Sequence, residues 1–498
     1  MGATVGQPAN TTSASSAWPG AALVAALVAT YYGGSLAGDF VWDDRLTAAA
    51  PADLATLLTH RTGSYYRPVV MLSFAADRFL WGSWPAGYHL ANLACHLVVA
   101  WLLLHLARGL GLGAGAALAA ALIFAGHPVQ TEAVTYISGR TDPLCALFLL
   151  LSLHAWRRSS HAVDRFAIAS GAAILLALLC KEAAVAMPLV MLVRGAHPAD
   201  RPPRPVVPIS CALAWLALWA LTDGPGLHVS GIPERIPAIG IAALTYFRLL
   251  AWPSDLHLER FVPVAGWSTS QTLATWAALA AVIAGLLWTA RRVPGGPLWL
   301  AIAAAAYAPL SGLSPIYPAI ADRALFMPEH FLYIPLLGLA PLAAGALSGL
   351  RGRVARYAAP PLLGLVLIAW AVVVLDRNRD WRDEEALFLH TLRYQPPAAR
   401  VWFNLGNLRL AAGNLDEAAR LFQAALAREP DDPAVHLNLG ITLQRAGHFT
   451  DAEAHYARAI TLDPRRVEAY RGLAALLARR GELAAARQVW EHVDGIER

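Results

Sequence analysis

This chain of 498 residues is too apolar for an ordinary soluble enzyme, because 57% of its residues are hydrophobic and its mean hydropathy is +0.46. The formal charge of +5 does not indicate binding of nucleic acid, since the basic residues cluster between apolar segments. The four cysteines all lie in or beside apolar segments, so no disulfide framework is predicted. The composition favours a protein that crosses a lipid bilayer many times.

Residues 1–20 are predicted to form a flexible tail. The tail has no basic residue, and no small-residue cleavage pattern follows the first apolar run, so a retained anchor is expected rather than a cleaved signal peptide. Apolar runs that can form membrane helices then recur along residues 21–375. They lie at 21–38, 87–107, 113–126, 142–156, 166–180, 183–194, 206–222, 236–252, 270–289, 297–316, 331–349 and 357–375.

Basic clusters set the predicted orientation, because positively charged loops stay in the cytoplasm. Such clusters occupy 157–165, 194–204, 291–292 and 351–356. The loops 39–85, 127–140 and 317–329 then lie outside, and the last span carries the C-terminal region to the same side. Three apolar runs, 206–222, 236–252 and 270–289, lie between the clusters 194–204 and 291–292. Because both clusters are cytoplasmic, the chain must cross the membrane an even number of times between them. We therefore expect 236–252 to be re-entrant and the membrane domain to have about eleven spans.

The first outward loop opens with an acidic pair, Asp43 and Asp44, beside Phe40 and Trp42. An ionised carboxylate there can accept a proton from an incoming hydroxyl, while its neighbour tunes its pKa or holds an amide or a metal. The alternative is a solvated loop start in which Trp42 is an interfacial anchor.

The second outward loop combines four polar residues, His127, Glu132, Arg140 and Asp142. The planar guanidinium of Arg140 can bind a phosphate, and Glu132 can orient it. The alternative is a Glu132–Arg140 salt bridge that pins the loop.

Further charged residues interrupt apolar sequence, where unpaired charges are costly. Lys181 and Glu182 either face a ligand or form structural ion pairs, and Arg323 and His330 lie in or beside the third outward loop. His89, Asn92 and His96 share one helical face, which favours a hydrogen-bonded packing surface over a zinc site.

The C-terminal region, 399–498, repeats with a period of 34 residues. Asn404-Leu405-Gly406 recurs as Asn438-Leu439-Gly440, and Ala425 recurs as Ala459. This period and its small residues are typical of three tetratricopeptide repeats, which form an α-solenoid after the connector 376–398. Such repeats bind polypeptides and do no chemistry themselves.

The order of these motifs resembles the transmembrane-and-tetratricopeptide proteins, a family of membrane O-mannosyltransferases, and their bacterial relatives. The resemblance rests on several short segments in addition to the repeats. They are Asp39–Asp44, Tyr66–Pro68, Gly87–Asn92, Phe124–Pro128, Thr131–Val134, Gly139–Asp142, Lys181–Glu182 and Leu332–Pro335. One departure is that His330 stands where the family usually carries an arginine.

The resemblance implies an all-α chain: a GT-C-like membrane helix bundle that uses a polyprenyl-phosphate-linked sugar, followed by the repeats. It implies Asp43 or Asp44 as the catalytic base, with Asp43 favoured because it is nearer the membrane. It assigns the donor phosphate to Arg140, Lys181, Arg323 and His330. It gives supporting roles to Arg67, His127, Glu132, Asp142 and Glu182.

The expected protein transfers a mannose-like sugar to a polypeptide hydroxyl on the outer face of the membrane, and a bacterial inner membrane is favoured as its location. No metal site or other cofactor is predicted, although help from a divalent metal is left open. The alternative function is a non-catalytic membrane anchor whose repeats assemble proteins. Dense polar motifs on the outward side favour the enzyme, since a scaffold needs only apolar spans.

Overall fold

The computed structural model describes residues 18–48, 56, 66–193, 195, 203–221, 232–313, 324–349, 353–394 and 399–497. The chain divides into two compact units, Met1–Arg382 and Asp383–Arg498. The division falls within the predicted connector 376–398. The predicted tail 1–20 lies almost entirely outside the described residues.

The first unit is helical, as the apolar runs predict. Its α-helices are α1 Trp18–Tyr32, α2 Asp44–Ala48, α3 Pro68–Trp81, α4 Pro85–Gly109, α5 Ala114–Gly126, α6 Thr131–Thr135, α7 Thr141–Trp156, α8 Arg165–Leu178, α9 Val206–Leu221, α10 Ile232–Ala251, α11 Thr269–Ala290, α12 Gly296–Tyr307, α13 Tyr333–Gly349 and α14 Arg353–Asp380. Short 3-10 helices adjoin them at Gly33–Ala37, Pro128–Gln130, Ile137–Arg140, Glu182–Leu192, Ala308–Leu310 and Glu329–Leu332.

Five helical segments among the described residues are long and apolar enough to cross a membrane, so this is a multi-pass membrane protein. They are Pro19–Ala37, Pro85–Gly109, Thr269–Ala290, Glu329–Gly349 and Tyr357–Asp380. A sixth is added if α5 and the bent segment that follows it form one span. Other apolar helices, such as α9, are shorter, and the total of about eleven spans stays a prediction.

The long helices differ in what surrounds them. Protein buries 72% of the apolar window of Glu329–Gly349 but only 11% of the window in α11 and 6% of that in Tyr357–Asp380. In α11 and α14, large side chains such as Trp288 and Ile368 are exposed. Such surfaces suit contact with lipid, whereas α13 belongs to the interior of the bundle.

The all-α prediction is confirmed, with one local exception in the described part of the chain. Strands β1 Phe261–Pro263 and β2 Ala324–Phe326 pair antiparallel, with Phe261 opposite Phe326. The next pair in this register is joined by the Met327 amide, which donates to the Arg260 carbonyl at 2.8 Å. This short sheet fixes the chain just before Glu329 and His330.

The second unit consists of helix pairs, as the 34-residue period predicts. Its helices are α15 Glu384–Thr391, α16 Ala399–Ala411, α17 Leu415–Leu426, α18 Pro433–Ala446, α19 Phe449–Leu462, α20 Val467–Arg479 and α21 Leu483–Glu497. A side chain at Gly406 would start 2.7 Å from the Phe422 ring, and one at Gly440 would start 2.9 Å from the Tyr456 ring. The repeated glycines therefore let the two helices of each pair touch.

A histidine pair replaces an aromatic core residue in the second repeat. His436 is buried at the position that Trp402 and Tyr470 occupy in the other repeats. Its Nε2–H donates to the Pro430 carbonyl at 2.9 Å, so its bare Nδ1 accepts from the Nδ1–H of His455, also at 2.9 Å. Protonating both rings would place two N–H groups face to face.

We therefore expect acid to destabilise this repeat. Burial, and then the neighbouring His436, lower the pKa of His455. The folded repeat thus binds this proton less tightly than the unfolded chain, so its stability is full above about pH 6.5 and falls below it. Hydrogen exchange of α18 and α19 in the full chain should speed up between pH 7.5 and 5, after correction for the intrinsic rate. His455→Gln should remove that change, and His436→Tyr should remove only the part due to the neighbouring charge. An equal acid effect in His455→Gln would contradict the prediction.

Candidate functional site

The candidate site is built around a break in helix α5. The helix ends at Gly126, and the chain bends by 51° before residues 128–135. The segment 127–142 then passes through Pro128–Gln130, α6 and Ile137–Arg140, with nearly every residue buried. Buried irregular backbone needs internal hydrogen-bond partners, which several predicted motifs supply.

Asn92 of α4 is one such partner. Its amide group donates to the carbonyls of Val134, Tyr136 and Ile137 at 3.4, 3.0 and 3.2 Å. On the same helix, His96 bonds to the Tyr333 hydroxyl at 2.7 Å and to the Ala125 carbonyl at 3.2 Å. Asn92 and His96 thus form a hydrogen-bonded packing surface. No group of three or more His, Cys, Asp or Glu that could hold a metal occurs in the described residues.

Asp44 fastens the first outward loop to the broken segment. It is fully buried, and its carboxylate accepts the Val41 amide at 3.1 Å and the Ser138 amide at 2.7 Å. Burial raises the pKa of Asp44 to about 7, and hydrogen bonds from Ser138 and Val41 oppose that rise. These contacts describe a positioning residue.

Asp43, by contrast, is exposed, and it follows a strained residue. Trp42 has a φ of 52°, in the left-handed region that residues other than glycine rarely adopt. Its ring stacks on Tyr136 at 5.9 Å, and Tyr136 stacks on Trp381 at 4.9 Å. Such strain persists where surrounding contacts enforce it, often at functional sites. Here the turn at Trp42 places Asp43 next to the stacked rings of Trp42, Tyr136 and Trp381.

Arg140 is bound by protein atoms on every guanidinium nitrogen. Nε donates to Asn92 at 2.6 Å, Nη2 to the Tyr88 carbonyl at 2.8 Å, and Nη1 pairs with Asp77 at 2.5 Å. Glu132 is not its partner, so the salt bridge considered from the sequence is not formed. Asp77, on α3, was missed, although a carboxylate among the apolar residues of that helix could have signalled it.

Lys181 and Glu182 pair with other residues and not with each other. The Lys181 ammonium donates to both carboxylate oxygens of Asp142, at 2.7 and 2.8 Å, and both side chains are buried. Glu182 accepts two bonds from Arg67, at 2.8 and 3.2 Å, and 22% of the Arg67 side chain is exposed. Of the two alternatives for this motif, the geometry favours structural ion pairs.

Glu132 and His330 form the most directed contact of the site. Glu132 Oε1 lies 2.8 Å from His330 Nδ1, and Oε2 accepts the His330 amide at 3.0 Å. The adjacent Glu329 is buried, with the His257 amide 2.5 Å from Oε1 and Arg377 3.5 Å from Oε2. Sequence reasoning missed His257 and Arg377, whose partners are far away along the chain.

Two predicted residues remain. The imidazole of His127 bonds to the Leu250 carbonyl at 3.0 Å and lies 4.4 Å from the Trp370 ring, so it fastens the break between two helices. Arg323 lies outside the described residues. The structure therefore brings Asp44 against the segment 127–142. It also brings the partners of Glu132, Arg140 and Asp142 to that segment.

Comparison with known proteins confirms the predicted repeats. Tetratricopeptide repeat models match residues 372–433, 437–491 and 409–459. The protein O-mannosyl-transferase Tmtc1 of Drosophila melanogaster is 28% identical over 80% of this chain and 60% of its own length. TMTC3 of Mus musculus is 25% identical over 81% of this chain and 50% of its own, and TMTC4 of Homo sapiens 26% over 77% and 63%.

The predicted family resemblance is confirmed. The chain spans between half and two thirds of the length of these relatives. Among solved structures, ArnT from Cupriavidus metallidurans bound to undecaprenyl phosphate is 16% identical over 92% of this chain and 81% of its own, with a TM-score of 0.42. A MamA structure is 21% identical over 27% and 75%, with a TM-score of 0.22.

The Lys181–Asp142 pair gives a test of structural pairing. Lys181→Met leaves a buried carboxylate without its cation, which costs about 3–5 kcal/mol. We expect a clearly lower melting temperature in detergent, and the double variant Lys181→Met with Asp142→Leu should recover most of the loss. The matched control is Arg379→Gln, which breaks an exposed pair with Asp376. Wild-type stability in Lys181→Met would contradict structural pairing.

Proposed function

We propose that this protein is a membrane glycosyltransferase. It transfers a mannose-like sugar from a polyprenyl-phosphate donor to a hydroxyl group of a polypeptide. The relatives' names as protein O-mannosyl-transferases support the reaction class. The observation that carries the proposal is the exposed Asp43 next to the buried Asp44. Asp44 binds Ser138 of the segment 127–142, and Glu132 of the same segment orients His330.

Asp43 acts as the general base in this mechanism. Its exposed carboxylate takes the proton from a serine or threonine hydroxyl, and the oxygen attacks the anomeric carbon of the sugar. The bond between that carbon and the phosphate oxygen breaks, and the polyprenyl phosphate leaves. Asp44 acts indirectly, because its bonds to Val41 and Ser138 fix the loop that presents Asp43.

Negative charge that develops on the departing phosphate requires cationic groups nearby. The geometry favours His330 and Arg67, whose side chains are 26% and 22% exposed. Arg140 and Lys181 would have to leave buried carboxylates to reach a phosphate, which is costly. They support the site by holding α3, α4 and α7 around it. Arg323 stays a proposed donor ligand because it is a cation of the third outward loop.

The repeats bind the polypeptide acceptor. Tetratricopeptide solenoids present an extended concave surface, and binding there raises the local concentration of the acceptor. The positive-inside rule places the first outward loop and the repeats on one side of the membrane, the periplasmic side in a bacterial cell.

A transfer assay tests the reaction. The purified full chain is incubated with radiolabelled polyprenyl-phosphate mannose and a mixture of polypeptides from the outer, periplasmic side of the membrane. Label that appears on protein supports the enzyme. Failure of transfer with mannose and with other sugar donors would favour the scaffold that anchors protein assemblies.

The two carboxylates should respond differently to substitution. Asp43→Asn should lower transfer about a hundredfold or more without lowering the melting temperature, because it removes the base from an exposed position. Asp44→Asn should lower stability and transfer together, because an asparagine oxygen cannot accept both amides that Asp44 now binds. The measurements are initial rates and melting curves of the same preparations. Wild-type turnover in Asp43→Asn would exclude Asp43 as the base.

Orientation is tested by reporter fusions. Alkaline phosphatase, which is active only outside the cytoplasm, should be active after Arg498 and inactive after Arg158. The basic cluster 157–165 should keep Arg158 in the cytoplasm, and the last span should carry the C-terminal region to the outside. The reverse pattern would overturn the proposed orientation.

A further inference from the structure

The contact between Glu132 and His330 has the geometry of an oriented acid–base group. Both oxygens of the buried carboxylate are used by one residue, one by the imidazole at 2.8 Å and one by its own main-chain amide at 3.0 Å. Because a carboxylate only accepts, Nδ1 carries the hydrogen of this bond. The ring orientation is thereby fixed, and Nε2 becomes the atom available for chemistry.

The imidazole is the part of this dyad that is open to a ligand. The His330 side chain is 26% exposed, whereas that of Glu132 is 2% exposed. In the described part of the chain, Nε2 makes no hydrogen bond, and the neighbouring Phe331 meets the imidazole edge to face at 5.0 Å. The dyad therefore has a buried orienting end and an accessible reactive end.

The charged neighbours of the dyad are already paired with one another. Glu329 is held by the His257 amide and by Arg377, and Arg377 also binds Asp380 at 3.1 Å. The titratable and charged groups that act on Glu132 and Glu329 are His330, Arg377, Arg260 and His257, and Asp380 is paired with Arg377. His127 immediately precedes Pro128–Gln130, which packs against the turn Glu329–Leu332. Since Arg377 faces both glutamates, Glu132 is partly compensated whether His330 is neutral or protonated.

We propose that His330, oriented by Glu132, is a catalytic acid that gives its Nε2 proton to the departing polyprenyl phosphate. The inference rests on the proposed function. As the bond between the anomeric carbon and the phosphate oxygen breaks, that phosphate takes the proton and leaves as its monoanion. The acceptor's proton goes to Asp43, and exchange with water restores both groups.

The chemistry of the two partners is well matched. An imidazolium can release a proton near neutral pH, and a phosphate monoester dianion can take one up in the same range. General catalysis is most effective when the pKa values lie near the working pH. An arginine at this position would neutralise the phosphate but could not release a proton near neutrality.

The experiment compares kcat and KM over pH 5.5–8.5 for the full chain, with radiolabelled polyprenyl-phosphate mannose as donor. Wild-type kcat should fall about tenfold per pH unit once the imidazole has lost its proton. His330→Asn places an amide nitrogen near Nδ1, so it keeps the bond to Glu132 but lacks Nε2. We expect its kcat to drop about a hundredfold or more with a smaller change in KM.

Two further variants separate charge from proton transfer. His330→Arg should bind the donor with little change in KM, but its kcat should be lower and should lack the wild-type alkaline decline. His161→Asn, in an exposed loop, is the matched control that loses an imidazole elsewhere and should keep the wild-type profile. Melting curves check that all variants fold.

The outcomes are distinct. A wild-type kcat and alkaline decline in folded His330→Asn would overturn the acid role while leaving the transferase intact. Absence of transfer by the wild-type protein with every donor would overturn the proposed function and the acid role with it. Rescue of His330→Ala by added imidazole, together with the predicted profiles, would support the proton transfer.

Discussion

The arrangement of the membrane unit depends on the break in helix α5 at Gly126. A regular helix satisfies its own backbone, but the segment 127–142 runs through short turns where water cannot reach. Each backbone carbonyl or amide that lacks a partner within a helix must then bind a group on another element. Asn92 supplies three carbonyl contacts, Asp44 accepts the Ser138 amide, and His127 reaches the Leu250 carbonyl. The need to satisfy one irregular segment thus draws α2, α4 and α10 to the same place.

The same segment separates charges that hold the fold from charges that can meet a ligand. Arg140 and Lys181 are almost completely buried against Asp77 and Asp142, and removal of one partner would strand the other. Asp43 is exposed, and His330 is partly so. All of these residues look alike in the sequence, as ionisable groups between apolar runs. Burial decides which of them can meet a ligand.

The sequence was most informative where its signal is periodic or local. The 34-residue period predicts the helix pairs, and the contact between Gly406 and Phe422 explains the repeated small residue. The acidic loop and the 127–142 loop were found because polar residues are costly in an apolar context. Pairings could not be predicted, because the partners are remote: Arg140 binds Asp77, and Glu132 binds His330, 198 residues away. The positive φ of Trp42 had no sequence signal, since tryptophan gives no indication of a left-handed turn.

The acidic pair shows how two identical neighbours acquire different tasks. Two adjacent carboxylates repel each other, and burial of one relieves the conflict, because desolvation disfavours its charged form. That effect raises the pKa of Asp44 to about 7, with a further contribution from Asp43 itself. Asp44 is thus the buried member of the pair and Asp43 the exposed one. Different environments commonly give two like residues different roles. Here burial makes Asp44 a positioning residue and leaves Asp43 at the surface. This difference between the two carboxylates also depends on the segment 127–142. The Ser138 amide binds Asp44 in the interior, and the adjacent Asp43 is exposed.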